Sequence, residues 1–238
     1  LYMAAWKLGP ALATGNTVVL KPSARTPLSA LTFAEILAEI FPAGVVNVLS
    51  GSGADIGDAL VCHPRVRMVS ITGDTETGKR IARIASETVK RLHLELGGKA
   101  PVIIFDDADL DLVVEGVKVA GFMNSGQDCT AACRLYARDS IYDRLLADLV
   151  PAVESLKGGD ITDEATEMGP LVSAEQRERV AGFVDRAVAT GHVRVLTGGR
   201  NGDGRGFFFK PTVIADAQQG DEIVQREVFG PVVTVTRF

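Results

Sequence analysis

The alternation of short β-branched runs with longer helical patterns most constrains what this chain can fold into. In the first hundred residues, four runs have the composition of strands: Thr17 to Leu20, Val45 to Leu49, Val66 to Thr72 and Arg91 to Leu96. Helical patterns lie between them, at about Pro27 to Ile40, near Asp55 to Cys62, and from Gly78 to about Ser86. This order predicts parallel strands covered by helices. Because the strands lack strict alternation, we expect both sheet faces to be buried.

A second group of elements follows the Gly97-Gly98 break. Further strands are predicted at Val102 to Phe105, Leu135 to Arg138, Val193 to Leu196, Phe207 to Ile214 and Val232 to Thr236. Helices are predicted at Leu110 to Asn124, Ile141 to Leu156 and Ala174 to Thr190, besides an amphipathic one at Leu1 to Leu12. We therefore predict an α/β fold with two domains, residues 1–97 and 98–238. The first would be a Rossmann-like parallel sheet with flanking helices.

Composition and charge exclude several classes of protein. The 238 residues are 46% hydrophobic and 23% charged, which is typical of a soluble globular protein. The net charge of -5 and the absence of a basic cluster disfavour nucleic acid and anionic membranes as partners. Three cysteines are too few for a disulfide framework and favour a reducing, cytoplasmic location. The chain begins with Leu1 and has no signal peptide pattern, so we expect a piece of a larger protein.

Two glycine-rich turns favour a nucleotide-binding enzyme. Gly51 to Gly57 has the pattern G-x-G-x-x-x-G, which suits either a pyrophosphate turn or a tight structural turn. Gly73 to Arg80 nearly matches a P-loop, but Arg80 cannot supply the hydroxyl that binds Mg²⁺. Asp74 and Glu76 would also repel a triphosphate there. By position, Asp74 is a candidate to bind a ribose hydroxyl.

The segment Ser125 to Arg134 contains two of the three cysteines. A single Cys is by default a small buried apolar residue, and a nucleophile is the alternative. A zinc site is disfavoured, because Cys129 and Cys133 give two ligands and the histidines lack paired spacing. A redox pair more usually has the spacing C-x-x-C. We predict no metal.

Five motifs together resemble the aldehyde dehydrogenase family, and they occur in that family's order. They are Lys21-Pro22-Ser23 with Thr26-Pro27, Ile71-Thr72-Gly73 with Gly78, Leu94 to Pro101, Phe122 to Cys129 with Arg134, and Glu227 to Val232. The resemblance implies that residues 1–97 are part of a coenzyme-binding domain. Residues 98–238 would be part of a catalytic domain with an aldehyde dehydrogenase-like α/β fold. The chain has about half of the family's usual length.

The resemblance also implies roles for single residues. Cys129 would be the nucleophile, and Glu95 the general base for the water that hydrolyses a thioester. Leu94 and Leu96 beside Glu95 suggest an apolar setting that would favour its protonated form. The implied cofactor is NAD, with NADP as a second candidate, and the implied contacts lie in both domains. They are Lys21, Ser23, Ala24, Gly53, Gly73, Asp74, Thr75, Thr77, Leu96, Gly97, Gln176, Glu227 and Phe229.

Three departures from the family pattern affect these roles. Ala24 stands where the family usually has a Glu that binds the adenosine ribose, so we expect a weaker preference for NAD over NADP. Asp74 stands where Ser is common, close to the expected pyrophosphate. The family's oxyanion Asn lies in a tryptophan-asparagine segment that the chain lacks.

Several stretches are most similar to the branch of the family that acts on γ-aminobutyraldehyde. They are Arg65 to Ser70, Gly97 to Asp109 and Gly126 to Arg134. Asp128 could pair with a substrate ammonium or act as a capping acid. Betaine aldehyde and aliphatic aldehydes stay open as substrates, and the family suggests a homodimer or homotetramer. Two other classes stay open: a catalytically silent nucleotide-binding scaffold, and a nucleotide hydrolase that uses the Gly73 turn.

Overall fold

The computed structural model describes all 238 residues and divides into two compact units, Leu1–Gly97 and Gly98–Phe238. The first unit contains α1 (Tyr2–Ala13), β1 (Val18–Leu20), α2 (Leu28–Ile40), β2 (Val46–Val48), a π-helical turn (Gly53–Gly57), α3 (Asp58–Cys62), β3 (Met68–Gly73), α4 (Thr75–Ser86) and β4 (Arg91–Leu96). The second unit contains β5 (Pro101–Ile104), α5 (Leu110–Phe122), a 3₁₀ turn (Met123–Gly126), β6 (Arg134–Ala137), α6 (Asp139–Glu154), α7 (Ala174–Val188), β7 (Arg194–Thr197), β8 (Thr212–Ala215), α8 (Glu222–Gln225) and β9 (Val232–Arg237). The predicted α/β fold is confirmed.

The strands of the first unit are parallel but form two separate pairs, β1 with β2 and β3 with β4. A strand-helix-strand connection sets the direction of consecutive strands and does not decide which pairs become neighbours. The expectation that both faces are buried is wrong for β3 and β4. Along both strands, exposed positions alternate with half-buried ones. The exposed face carries Ser70, Thr72, Arg91, His93 and Glu95, and the other face carries apolar residues such as Val69 and Leu92.

Other predicted boundaries also need correction. Helix α4 begins at Thr75 and not after Gly78, because Asp74 caps it. The strand predicted from Phe207 is only Thr212–Ala215, since Pro211 has no N–H to donate to a ladder. The short helix α8 was not predicted, and four residues give too little periodicity to detect.

The second unit is built on a five-stranded sheet of order β5-β6-β9-β8-β7, parallel except for β7 against β8. Successive residues of the central strands contribute to opposite faces, as strand geometry requires. Val213 and Val233 join one apolar cluster with residues of α5 and α6. Ile214 and Val232 join another with residues of α7 and α8. Both faces of these two strands are therefore buried.

A buried tyrosine joins α6 to the end of β8. Tyr142 is fully buried, and its hydroxyl accepts a hydrogen bond from the Asp216 N–H (2.9 Å). The hydroxyl also lies 3.1 Å from Asp216 Oδ1, which accepts from it. Burial raises the pKa of Tyr142, so the hydroxyl keeps its proton. Asp216 has a φ of 60°, so this contact supports a turn of unfavourable conformation.

We expect Tyr142→Phe to lower the free energy of unfolding by about 1–2 kcal/mol, because it leaves the partly buried Asp216 N–H without its acceptor. The measurement is urea-induced unfolding of the full-length protein. Tyr136→Phe is the matched control, because the Tyr136 hydroxyl bonds Gln219 in an exposed position. Equal stability of the two variants would show that the Tyr142 hydroxyl contributes nothing beyond its ring.

Candidate functional site

In the first unit, Lys21 lies at the carboxyl edge of the β1-β2 pair. It directly follows β1, and its Nζ donates to the carbonyls of Pro22 (2.9 Å) and Gly51 (3.4 Å). Gly51 comes three residues after the end of β2, so Lys21 connects the ends of two neighbouring parallel strands. This edge is where open α/β sheets bind their ligands. The Lys21 ammonium therefore places a positive charge at a suitable position for a polar ligand.

The residues next to Lys21 form an exposed turn. The Ser23 Oγ accepts a hydrogen bond from the Arg25 N–H (3.2 Å), and Ala24 presents only a methyl group to solvent. Gly53 begins the π-helical turn, where the Ser52 hydroxyl accepts from the Asp55 N–H at 3.0 Å. The predicted helix near Asp55 thus starts as a wider turn.

Asp74 caps helix α4 with its own carboxylate. Its Oδ1 accepts hydrogen bonds from the N–H groups of Glu76 (2.8 Å) and Thr77 (3.4 Å). Carboxylates stabilise helix N-termini in this way, and free amides at the same place would bind a phosphate. The sequence made Asp74 a candidate to bind a ribose hydroxyl. In the structure its carboxylate faces the start of the helix, where the amides of Glu76 and Thr77 lie within its reach.

The close contact between α4 and β4 depends on a glycine. A Cβ on Gly78 would lie 2.6 Å from Leu96 Cδ2, so any larger residue would require the Leu96 side chain to shift. The Leu96 side chain therefore packs against α4. Gly73 ends β3, while Thr75 and Thr77 lie in the first turn of α4.

Glu95 lies on the exposed face of β4, and its side chain is 56% exposed. His93 is its partner there, with Nε2 at 3.1 Å from Glu95 Oε1. Leu94 and Leu96 point to the opposite face, because side chains alternate along a strand. The expectation that these leucines surround Glu95 with apolar atoms is therefore wrong.

In the second unit, the segment before Cys129 has a strained backbone. Three consecutive residues have left-handed conformations: Asn124 (φ 52°), Ser125 (φ 58°) and Gly126 (φ 67°). Such conformations are costly for residues with side chains and concentrate at functional sites. Helix α5 therefore ends at Phe122, and the chain turns sharply before Cys129.

Side-chain hydrogen bonds hold this turn in place. The buried Ser125 hydroxyl donates to the Gly169 carbonyl (2.7 Å). Gln127 Oε1 accepts from the Val172 N–H (2.9 Å). The Asn124 and Gln127 amides also bond each other's backbone carbonyls, at 2.9 and 3.1 Å. These residues lie in the predicted cysteine motif, but the motif assigned them no separate roles.

The turn packs directly against the backbone near Phe229. A Cβ on Gly126 would lie 2.2 Å from the Gly230 carbonyl oxygen, so no side chain fits between the two segments. Phe229 has a φ of 57° and is half-buried. Gln176 stabilises this strained residue, because its Nε2 donates to the carbonyls of Phe229 (2.7 Å) and Val228 (3.2 Å). Gln176 thus holds the turn that carries Phe229.

Cys129 lies in the loop that these contacts define, as a half-buried cysteine outside any disulfide. Asp128 beside it uses Oδ1 to accept from both the N–H and the hydroxyl of Thr130, each at 2.8 Å. Asp128 Oδ1 thus holds the following turn, and binding of an ammonium by Asp128 stays a prediction. Cys133 directly precedes β6, and its carbonyl accepts from the Thr234 N–H (3.0 Å), which places it in the sheet framework.

Two charged residues lie near Gly98, the first residue of the second unit: Lys99 follows it in the sequence, and Glu227 contacts it in space. Glu227 Oε1 accepts a hydrogen bond from the Gly98 N–H at 3.3 Å. Lys99 has a buried Nζ without a hydrogen-bond partner. Burial lowers the pKa of Lys99, while Cys133 and Glu227 oppose that shift and Arg134 adds to it. Lys99 lies in the glutamate motif Leu94 to Pro101, but no role was predicted for it, since burial of a lysine has no local sequence signal.

The chain has no group of three or more His, Cys, Asp or Glu side chains placed to hold a metal ion. None of its helices combines the length and the apolar character needed to cross a membrane.

Comparison with known proteins agrees with the motifs. A model of the aldehyde dehydrogenase family matches residues 1–238. A betaine aldehyde dehydrogenase from Staphylococcus aureus, solved in complex with NAD+, is 44% identical with a TM-score of 0.95, over 99% of this chain and 48% of that one. A mutant aldehyde dehydrogenase from Bacillus cereus is 43% identical with a TM-score of 0.97, over 99% of this chain and 48% of that one. The chain thus spans about half the length of these relatives. It belongs to the aldehyde dehydrogenase family.

Proposed function

We propose that the protein oxidises an aldehyde to a carboxylic acid with NAD+ as coenzyme. The observation that carries the proposal is the geometry around Cys129. A half-buried thiol follows a strained turn that Ser125 and Gln127 hold by hydrogen bonds. A backbone ordered in this way positions a nucleophile at little entropic cost during the reaction. Family membership and the NAD+ complexes of the relatives support the choice of reaction.

Cys129 acts as the nucleophile. Its thiolate sulfur adds to the carbonyl carbon of the aldehyde and forms a thiohemiacetal. When bound, NAD+ supplies the hydride acceptor that makes this an oxidation. The carbon that has lost its hydride is left as a thioester on the Cys129 sulfur. The left-handed residues before Cys129 fix the backbone turn from which the loop with Cys129 begins.

Glu95 acts as the general base in the second half of the reaction. It removes a proton from a water molecule whose oxygen attacks the thioester carbon. The carbon–sulfur bond breaks, so the carboxylic acid leaves and Cys129 regains its thiolate. The partial exposure of Glu95 suits this role, because a water molecule can reach its carboxylate.

The coenzyme contacts proposed from the resemblance fit this chain in part. Lys21 and Ser23 would hold the adenosine ribose, and Glu227 with Phe229 the nicotinamide side. Gln176 would act through the Phe229 backbone that it holds. The amides of Glu76 and Thr77 already bond Asp74, so they do not fit a phosphate without competition. The other proposed contacts are Gly53, Gly73, Thr75, Thr77, Leu96 and Gly97.

We propose that discrimination between NAD+ and NADP+ is weak. The exposed Ala24 methyl has no acceptor for a 2′-hydroxyl and no charge to repel a 2′-phosphate. Measurable activity with NADP+ would therefore accompany a preference for NAD+. We also propose a cytoplasmic homodimer or homotetramer, which the family resemblance and the three cysteines outside disulfides support.

For the substrate we propose a cationic aldehyde. The γ-aminobutyraldehyde branch, which the sequence resembles, and betaine aldehyde, which names the Staphylococcus aureus relative, share a positive charge at physiological pH. Asp128 next to Cys129 would supply the complementary negative charge. Its Oδ1 is bonded to Thr130, so Oδ2 would face the cation.

We expect Cys129→Ala to abolish NADH formation with every aldehyde of a panel containing γ-aminobutyraldehyde, betaine aldehyde and butyraldehyde. The panel is run on the full-length protein with NAD+ and with NADP+. Coenzyme binding should persist, because the turn that precedes residue 129 keeps its hydrogen bonds.

Cys133→Ala is the matched control and should retain most activity, because Cys133 contributes its backbone to the sheet framework. Equal loss in the two variants would point to a joint role of both thiols. A wild-type protein that oxidises no aldehyde would favour the silent scaffold, and Mg²⁺-dependent ATP turnover without Cys129 would favour a hydrolase.

We expect Glu95→Gln to slow thioester hydrolysis far more than hydride transfer, because an amide cannot take a proton from water. A stopped-flow trace should keep the first burst of NADH and lose about 10²-fold or more of the steady rate. If burst and steady rate vanish together, Glu95 activates Cys129 instead.

We expect Asp128→Asn to lower kcat/KM for the cationic aldehydes by about fivefold, the upper range for a partly exposed ion pair. Butyraldehyde should react as before, because an asparagine Oδ1 still accepts from Thr130 and preserves the turn. Equal losses for charged and uncharged substrates would leave Asp128 with a structural role alone.

A further inference from the structure

A hydrogen-bonded series of four polar side chains crosses the exposed face of the β3-β4 pair and ends at Glu95. Lys7 Nζ donates to Ser70 Oγ at 3.0 Å. Ser70 Oγ lies 2.9 Å from His93 Nδ1, and His93 Nε2 lies 3.1 Å from Glu95 Oε1. The register explains the arrangement, because Ser70 pairs with His93 and Glu95 follows two residues later on the same face.

The hydrogen bonds in this series all donate in the same direction, from Lys7 towards Glu95. The Lys7 ammonium can only donate, so Ser70 Oγ accepts from it. Ser70 then has a single hydrogen to give, and His93 Nδ1 is the acceptor within reach. A neutral His93 therefore carries its proton on Nε2, which assigns the tautomer from the network. This Nε2–H donates to the Glu95 carboxylate.

Two positively charged side chains, Lys7 and Arg91, lie on the same side of the strand pair as His93 and Glu95. Burial lowers the pKa of Lys7, and the Glu95 charge opposes that shift. Arg91 lies on the same face of β4, two residues before His93. The Lys7 ammonium is thus the positive charge at one end of the hydrogen-bonded series, and the Glu95 carboxylate is the negative charge at the other end.

We propose that His93 is a positioning residue for Glu95. The inference rests on the proposed function, in which Glu95 takes a proton from the hydrolytic water. The Nε2–H donor holds Glu95 Oε1 and stabilises the ionised carboxylate, the form that can accept a proton. It also leaves Oε2 for the water molecule.

Two amide substitutions test this role. In His93→Asn the amide lies near the former Nδ1, so it reaches Ser70 but not Glu95. In His93→Gln the amide extends to the former Nε2 position and can still donate to Glu95. His93→Asn should lower steady-state kcat by about two- to fivefold, the range for an exposed charge-assisted contact, while the NADH burst is unchanged. His93→Gln should restore the steady rate.

The pH dependence of kcat gives a readout that a purely structural role would not move. Loss of a donor disfavours the carboxylate form, so more alkaline conditions are needed to ionise it. The acid limb of the kcat profile should therefore shift to higher pH in His93→Asn and stay in place in His93→Gln. The side chains of His93 and Glu95 are 51% and 56% exposed, so both variants should fold.

Wild-type rates and profiles in both variants would overturn the inference, as would equal losses in both. Glu95→Gln is measured alongside to separate this result from the proposed function. If Glu95→Gln keeps the burst while His93→Asn behaves as wild type, only the role of His93 fails. If Glu95→Gln loses burst and steady rate together, Glu95 is not the hydrolytic base and both proposals fall.

Discussion

The approach of Gly126 to the Gly230 carbonyl is the constraint on which the geometry around Cys129 depends. No side chain fits between these two backbone segments, and both are strained next to the contact. Asn124 and Ser125 are left-handed on one side, and Phe229 on the other. Of the five residues other than glycine with positive φ, these are three. Strain that is held by contacts from several elements is a common feature of sites that must be ordered before a ligand arrives.

The sequence predicted the elements of the fold more reliably than their environment. The alternation of strands and helices follows from local patterns, so most boundaries lie within a few residues of those expected. How the strands pair depends on distant contacts, and the four strands of the first unit form two pairs. Polar and apolar residues alternate from Arg91 to Leu96, and this pattern is typical of a strand with one exposed face.

For the site residues, too, the sequence motifs indicated which residues matter but not which atoms they contact. The motifs pointed to Cys129, Glu95 and Glu227, and the roles of these three residues stay predictions. No motif indicated that Asp74 would occupy its own helix amides or that Gln176 would bond the Phe229 carbonyl. Such hydrogen bonds depend on side-chain direction, which a spacing rule does not contain. The charged groups that act on the buried Lys99 ammonium likewise lie more than 30 positions away in the sequence, at Cys133, Arg134 and Glu227.

Asp74 has a consequence for how binding relates to folding in the first unit. The Asp74 carboxylate satisfies two amides at the start of α4 without a ligand. The helix is therefore stabilised in the free protein and does not depend on a bound phosphate. Ligands that bind only the native state add to stability by mass action. At this turn Asp74 already occupies amides that a bound anion would use, so a ligand adds less stability there. Folding and ligand affinity can therefore vary separately here, and a change that weakens one need not weaken the other.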